Sequence, residues 1–347
     1  MPERKKILLI YTGGTIGMMR KPETEVYVPF DFKLIESQFT ELSKLSCNIE
    51  VESFDPPLDS SNIKPPVWIR LGEIIRDNYE KFDGFVVLHG TDTMAYTGSA
   101  LSFILEGLSK PVILTGSQLP IGAIRTDAKE NVISALEIAA HPDTPIREVA
   151  IYFDNKVFRA NRTKKVHADS FGAFGTPNFR AIGIAGVSLK FFRETPDDAF
   201  SHFKGFRLQD KLETRVALLK FFPGILPQAT HPILTGHDIT GVILESYGSG
   251  NLPTDPALIE SIRQSVAMGK IVLNITQCIG GTVNMGRYAT SKLLLESGVL
   301  GGRDLTEEAA LTKMMYLLGK YDDLEKVKHF MVRNIRGEMT AERAYSI

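Results

Sequence analysis

Two cysteines in 347 residues, Cys47 and Cys278, cannot build a disulfide framework, and they stand neither at zinc-ligand spacing nor as a CxxC redox pair. That scarcity fits a reducing compartment. Charge of one sign is missing too. The charged fraction is 23% and the formal net charge is −1, so there is no basic footprint for nucleic acid and no acidic tail. No apolar stretch approaches the roughly 18 residues of a membrane span. The opening MPERKKILLIYTGG joins a basic patch to an apolar run, but the run is too short for a secretory h-region and ends in glycines rather than a cleavage site. A first strand is expected there, in a soluble, cytoplasmic protein with a small-molecule partner, no nucleic acid and no membrane.

Low-complexity tracts and internal repeats are absent as well. What is present is a regular alternation. The apolar runs ILLIY, CNIEVESF, FVVLHG, KPVILTG and EVAIYFD are separated by the amphipathic stretches FDFKLIESQFTELSKL, VWIRLGEIIRDNYEKF and RTDAKENVISALEIAAH. This is the βαβ pattern of a mostly parallel sheet flanked by helices. After a charged, aperiodic stretch, RVALLKFF, GVILESY and KIVLNITQ return as strands with helices between them and two more at 306–319 and 322–333. The chain length suits two domains. The reading is therefore an α/β protein: an N-terminal α/β catalytic domain at 1–190, a linker at 191–214 and a smaller C-terminal α/β domain at 215–347.

Nearly every strand run empties into a polar, glycine-rich elbow: TGGT, GTDT, GSQ, FPG, YGSGN and QC. Ligands of open α/β sheets bind at the carboxyl ends of strands, so these elbows are expected to converge. The first, TGGTIG at 12–17, is neither GxGxxG with its acidic partner nor GxxxxGK[ST]. A tight turn would explain its glycines but not Thr15. HGTDTM at 89–94 sets Thr91 beside Asp92, which alone could be a helix cap. Asp59, Ser60 and Ser61 could be an Asx or Ser turn ahead of Pro65. The basic run RANRTKKVH at 159–167 could be a solvated face, or it could turn a lysine toward the elbows, where desolvation or neighbouring cations lower an amine enough to accept a proton. Hydroxyl, carboxylate and lysine together are the parts of an activated nucleophile.

TGGTIG, DSSN, HGTDTM, TGSQLPIGAIRTDAKEN, RANRTKKVHAD, YGSGN and the block from QCIGG to MMYLLG together resemble the bacterial-type asparaginase and glutaminase family, over about Ile7 to Lys320. The C-terminal block resembles most the cytoplasmic type I enzymes. The resemblance implies hydrolysis of L-asparagine to L-aspartate and ammonia, with no cofactor and no metal. It implies Thr15 as the nucleophile that forms a β-aspartyl ester, Tyr27 as its helper on a lid over Met18–Pro29, and Thr91, Asp92 and Lys165 as the relay that activates water. Lys164 is the neighbour that alignment on VHAD sets aside. Substrate binding falls to Asp59, Ser60, Ser61, Thr91 and Asp92, with backbone amides near Gly14 and Thr91 facing the oxyanion. Asn251 of a neighbouring subunit would complete the pocket in a homodimer or homotetramer. Glu245 stands where some relatives carry an arginine for an effector asparagine, and its charge opposes an anion there.

Four other readings compete. Glutamine hydrolysis differs by one methylene, worth only about 1–3 kcal/mol of discrimination. The amide-hydrolysing component of a tRNA-dependent amidotransferase would be expected to carry an extra N-terminal domain, whereas the first strand here begins at Lys6. A non-catalytic amino-acid sensor would not require every catalytic residue type at its elbow. A dehydrogenase would require the missing glycine and acidic partner.

Overall fold

Four apolar runs of the N-terminal half, at 7–11, 84–88, 112–115 and 149–153, form strands buried on both faces, which is why they are continuous rather than alternating, whereas CNIEVESF lies at the sheet edge and is only partly buried. The computed structural model describes residues 4–20, 27–29, 40–192, 205–286 and 289–340, with the side chains of 19, 20, 27–29 and 289 left out. The chain divides into two units, Met1–Leu208 and Gln209–Ile347.

In the first unit β1 (Lys5–Gly13) is followed by β2 (Cys47–Leu58), α1 (Pro65–Asn78), β3 (Gly84–Leu88), α2 (Met94–Ile104), β4 (Val112–Thr115), α3 (Ala128–Ala140) and β5 (Val149–Phe153). Strands β1 to β5 pair in parallel. Three short strands, β6 (Lys156–Arg159), β7 (Gly183–Ala185) and β8 (Leu189–Phe191), extend the sheet antiparallel, giving the order β8-β7-β6-β5-β4-β3-β1-β2. Alternate residues of β1 share one face, so Ile7, Leu9 and Tyr11 pack with Val86, Leu88 and Ile113 beneath Val132, Ala135 and Leu136 of α3. Helix α2 is buried at ten of its eleven positions, which accounts for its lack of a polar face. Proline at the first turn of α1 falls where helical N–H groups have no intrahelical acceptor.

The second unit holds β9 (Val216–Lys220), α4 (Pro227–Thr235), β10 (Gly241–Ser246), α5 (Pro256–Ala267), β11 (Ile271–Thr276), α6 (Ala289–Glu296), β12 (Leu300–Gly301), α7 (Glu307–Lys320) and α8 (Leu324–Met331). Its four strands are parallel in chain order. Both units are thus α/β, the first with a large, mostly parallel sheet. Of the amphipathic stretch at 30–45, residues 30–39 lie outside the described residues, and Thr40–Lys44 is a short 3₁₀ helix. Among the described residues no helix is long and apolar enough to cross a membrane.

One polar feature fixes the end of the second unit. Lys313 and Glu338 form a fully buried ion pair, Nζ to Oε1 at 2.5 Å, with both side chains 0% exposed. Lys313 also donates to the Arg333 carbonyl, and Glu338 accepts from the amides of Ile335 and Arg336. Burial pushes the Lys313 amine below its usual range, with Glu338 opposing that shift. Such a pair adds little net stability, but removing one member leaves the other charge unpaired in a dry interior. Glu338→Ala is therefore predicted to lower unfolding free energy by about 3–5 kcal/mol, read by urea denaturation. A loss below about 1 kcal/mol would show that water reaches Lys313 freely.

Candidate active site

The site begins where β1 and β3 end. Gly14 has φ +89°, and a Cβ there would lie 2.5 Å from Gly90 Cα, so the two strand exits touch through glycine backbones that admit no side chain. Gly13, at φ +125°, lies as closely against Leu58, whose carbonyl accepts from the Gly14 amide at 3.0 Å. The register of β1 on β2 shifts between Tyr11 and Gly13, bringing Leu58 to this point. Thr12 turns inward, and its hydroxyl donates to the Leu88 carbonyl at 2.9 Å. Thr15 opens a 3₁₀ turn over Thr15–Gly17 and is exposed. Its hydroxyl makes no hydrogen bond among the described residues. Below it Gly17 lies against the ring of Tyr11, where a Cβ would meet the phenol oxygen at 1.8 Å.

At the β3 exit the helix-cap reading of Thr91 and Asp92 fails. The N-cap of α2 is Thr93, without a side-chain cap bond, and its hydroxyl donates instead to the Ser60 carbonyl at 2.7 Å. Thr91 and Asp92 are thereby free for another task. Lys165 Nζ donates to Thr91 Oγ1 at 2.9 Å and to Asp92 Oδ1 at 2.8 Å. It arrives on the short strand Lys164–Lys165, which pairs with Phe174–Gly175. Neighbours on a strand point to opposite faces, so only one of the two lysines can turn to Thr91. The Lys165 side chain is 20% exposed and that of Asp92 63%, so the pair orients groups more than it stabilises the fold.

Asp59 caps the 3₁₀ turn Ser60–Asn62, accepting from the Ser61 amide and hydroxyl, each at 2.9 Å. The Asx-turn reading thus describes its geometry. That turn sets buried Ser60 against Gly90, where a Cβ would meet Ser60 Oγ at 2.5 Å. Of the amides expected near the oxyanion, around Gly14 and Thr91, that of Gly14 itself is committed to Leu58, whereas that of Thr91 makes no hydrogen bond among the described residues. Tyr27 pairs through its backbone with Arg20, but its side chain and residues 21–26 of the expected lid lie outside the described residues. Asn251 lies in the second unit, where its Oδ1 accepts from Thr290 at 2.6 Å. Glu245, in the same unit, is buried and accepts from Lys220 at 2.9 Å. Among the described residues no group of three or more His, Cys, Asp or Glu is placed to hold a metal.

Matches to family models cover most of the chain, "Asparaginase, N-terminal" over residues 6–197 and "Glutaminase/Asparaginase C-terminal domain" over 215–331. This chain belongs to the asparaginase family. It is 39% identical to L-asparaginase 1 of Escherichia coli (strain K12), over 98% of this chain and 99% of that protein. The crystal structure of L-asparaginase I from Vibrio cholerae superposes with a TM-score of 0.86 at 38% identity, covering 97% of this chain and 100% of that one. The thermostable L-asparaginase from Thermococcus kodakarensis superposes with a TM-score of 0.88 at 32% identity, again over 97% of this chain and 100% of that one.

Two residues of this family member's site escaped sequence reasoning. Gln118, in the elbow after β4, accepts from Thr91 Oγ1 at 3.2 Å. His89 lies fully buried behind Gly90, its Nδ1 2.7 Å from the Gly90 carbonyl and its Nε2 2.9 Å from Thr97 Oγ1. A carbonyl only accepts, so Nδ1 carries the proton and Nε2 takes one from Thr97, which Trp68 Nε1 meets at 3.0 Å. Burial pushes His89 down to about 4, the Gly90 hydrogen bond acting the other way. That value lies below the roughly 6.5 of an unfolded histidine, so the unfolded chain takes up the proton first. The stability from neutral His89 is complete above about pH 6.5 and is lost as pH falls toward 4. His89→Gln is predicted to flatten the decline in unfolding free energy across that window by up to about 1.4 kcal/mol per pH unit. Identical slopes in urea titrations of both proteins would place the titration elsewhere.

Proposed function

We propose that the chain hydrolyses L-asparagine to L-aspartate and ammonia through a threonine nucleophile. The observation that carries the reading is the contact of Gly14 with Gly90, which sets the next residues, Thr15 and Thr91, at adjoining strand exits with Lys165 on Thr91. Thr15 attacks the side-chain amide carbon, ammonia leaves with the proton it needs, and water then hydrolyses the β-aspartyl ester. The Thr91 amide serves the oxyanion. Asp92 pairs with the substrate ammonium, and Ser60 and Ser61 bind the α-carboxylate in charge-assisted hydrogen bonds, for which the Ser61 hydroxyl turns its one proton from Asp59 to the substrate. Tyr27 is assigned as the helper of Thr15 on the family resemblance. A homodimer or homotetramer in the cytoplasm is the setting that resemblance implies.

Thr15→Val is predicted to abolish ammonia release from L-asparagine while leaving the thermal unfolding temperature within a few degrees. Near-normal turnover would remove Thr15 from the nucleophile role. Lys165→Met is predicted to cut kcat about 10²–10⁴-fold, the range for a lost proton-transfer partner. Lys164→Met, on the other strand face, should cost less than tenfold. The reverse ranking in a coupled ammonia assay would reassign the relay to Lys164.

A further inference from the structure

One side chain against Thr91 has no part in the chemistry above. Gln118 Nε2 donates to the carbonyls of Ala168 and Ser170, each at 3.0 Å, while its Oε1 faces Thr91 Oγ1 at 3.2 Å. Carbonyl oxygens only accept, so the amide cannot be turned around. Its backbone is held as well. The Gln118 amide donates to both carboxylate oxygens of Asp127, at 3.1 and 3.0 Å, and Asp127 is fixed in turn by Asn131 Nδ2 at 3.1 Å.

The polarity of this chain reaches Thr91. Facing an acceptor, the Thr91 hydroxyl must donate its proton to Gln118, and Lys165 occupies one of its two lone pairs. A single lone pair remains. We propose that Gln118 is a positioning residue for the water step: by drawing the Thr91 proton to itself, it leaves Thr91 as an acceptor only, so an incoming water must donate to Thr91 and turn its own lone pairs toward the ester. This rests on the amide-hydrolysis reading, in which Thr91 and Lys165 serve the second half-reaction. Asp127 and the backbone of residues 168–170 are what hold Gln118 to that orientation.

The test compares water with hydroxylamine as the second nucleophile. Hydroxylamine nitrogen attacks the ester carbonyl directly, forms the hydroxamate and releases the Thr15 hydroxyl, without a water molecule to orient. In Gln118→Met, hydrolysis of L-asparagine is expected to lose about tenfold in kcat, the worth of one hydrogen bond in the reacting geometry. KM should stay within about twofold, and hydroxamate formation should stay within about twofold of the unsubstituted protein. Gln118→Asn keeps the amide but is one methylene short, and it should show the same selective loss. Equal losses in both reactions, or unchanged hydrolysis in both variants, overturn the inference. Failure of the unsubstituted protein to form any hydroxamate while it releases ammonia removes the ester intermediate, and with it the reading beneath.

Discussion

Backbone touching backbone at two strand exits is the constraint from which the rest of the site follows. Gly14 and Gly90 meet so closely that any side chain at either position would displace the other strand or Ser60. Parallel neighbours in a twisted sheet normally diverge at their ends, and loops then separate whatever follows them. Here β1 and β3 are held together beyond their last hydrogen-bonded residues. The Gly14 amide is tied to Leu58 on one side, and Thr12 is tied to Leu88 on the other. Thr15 and Thr91 inherit their positions from that arrangement rather than from side-chain packing of their own.

The polar groups around these exits form two layers with different physics. In front, Lys165, Asp92 and Thr91 stand in a partly solvated setting where an ion pair contributes orientation more than stability. Behind, His89, Thr97 and Trp68 form a dry chain in which every donor has an acceptor and the imidazole is kept neutral. A charged residue in that second layer would have to be desolvated with no counter-ion at hand. Gln118 connects the front layer to the loop at 168–170 and gives the hydrogen bonds a single direction.

Much of this was legible in the amino-acid sequence, for identifiable reasons. Fully buried parallel strands carry continuous apolar runs, so β1, β3, β4 and β5 stand out from the helices between them. Glycine pairs after such strands mark the exits, and threonines beside them are chemically conspicuous. Strands β7 and β8 were not legible because each has three residues and only the pairing in space defines them. Helix α4 contains Pro232, which reads as a breaker in any local analysis. Asp59 illustrates a different limit: its residue type suits both a turn and a binding site, and only the contacts show the turn. That the Gly14 amide is committed to Leu58 was not legible, because the contact depends on a register shift in β1 that no local pattern encodes. Gln118 was missed because its partners are backbone carbonyls brought near by the fold, 50 and 52 residues away, and His89 because only its burial and its bond to Thr97 set it apart from an ordinary elbow residue.

Thr15 as nucleophile requires that its oxygen become covalently acylated during turnover. The decisive measurement mixes the protein with excess L-asparagine, quenches in acid within a turnover and maps the peptides by mass spectrometry. A β-aspartyl ester is expected on the peptide that contains Thr15. Sustained ammonia release with that peptide unmodified, even when Lys165→Met slows the second half-reaction, would contradict it and favour direct attack by water.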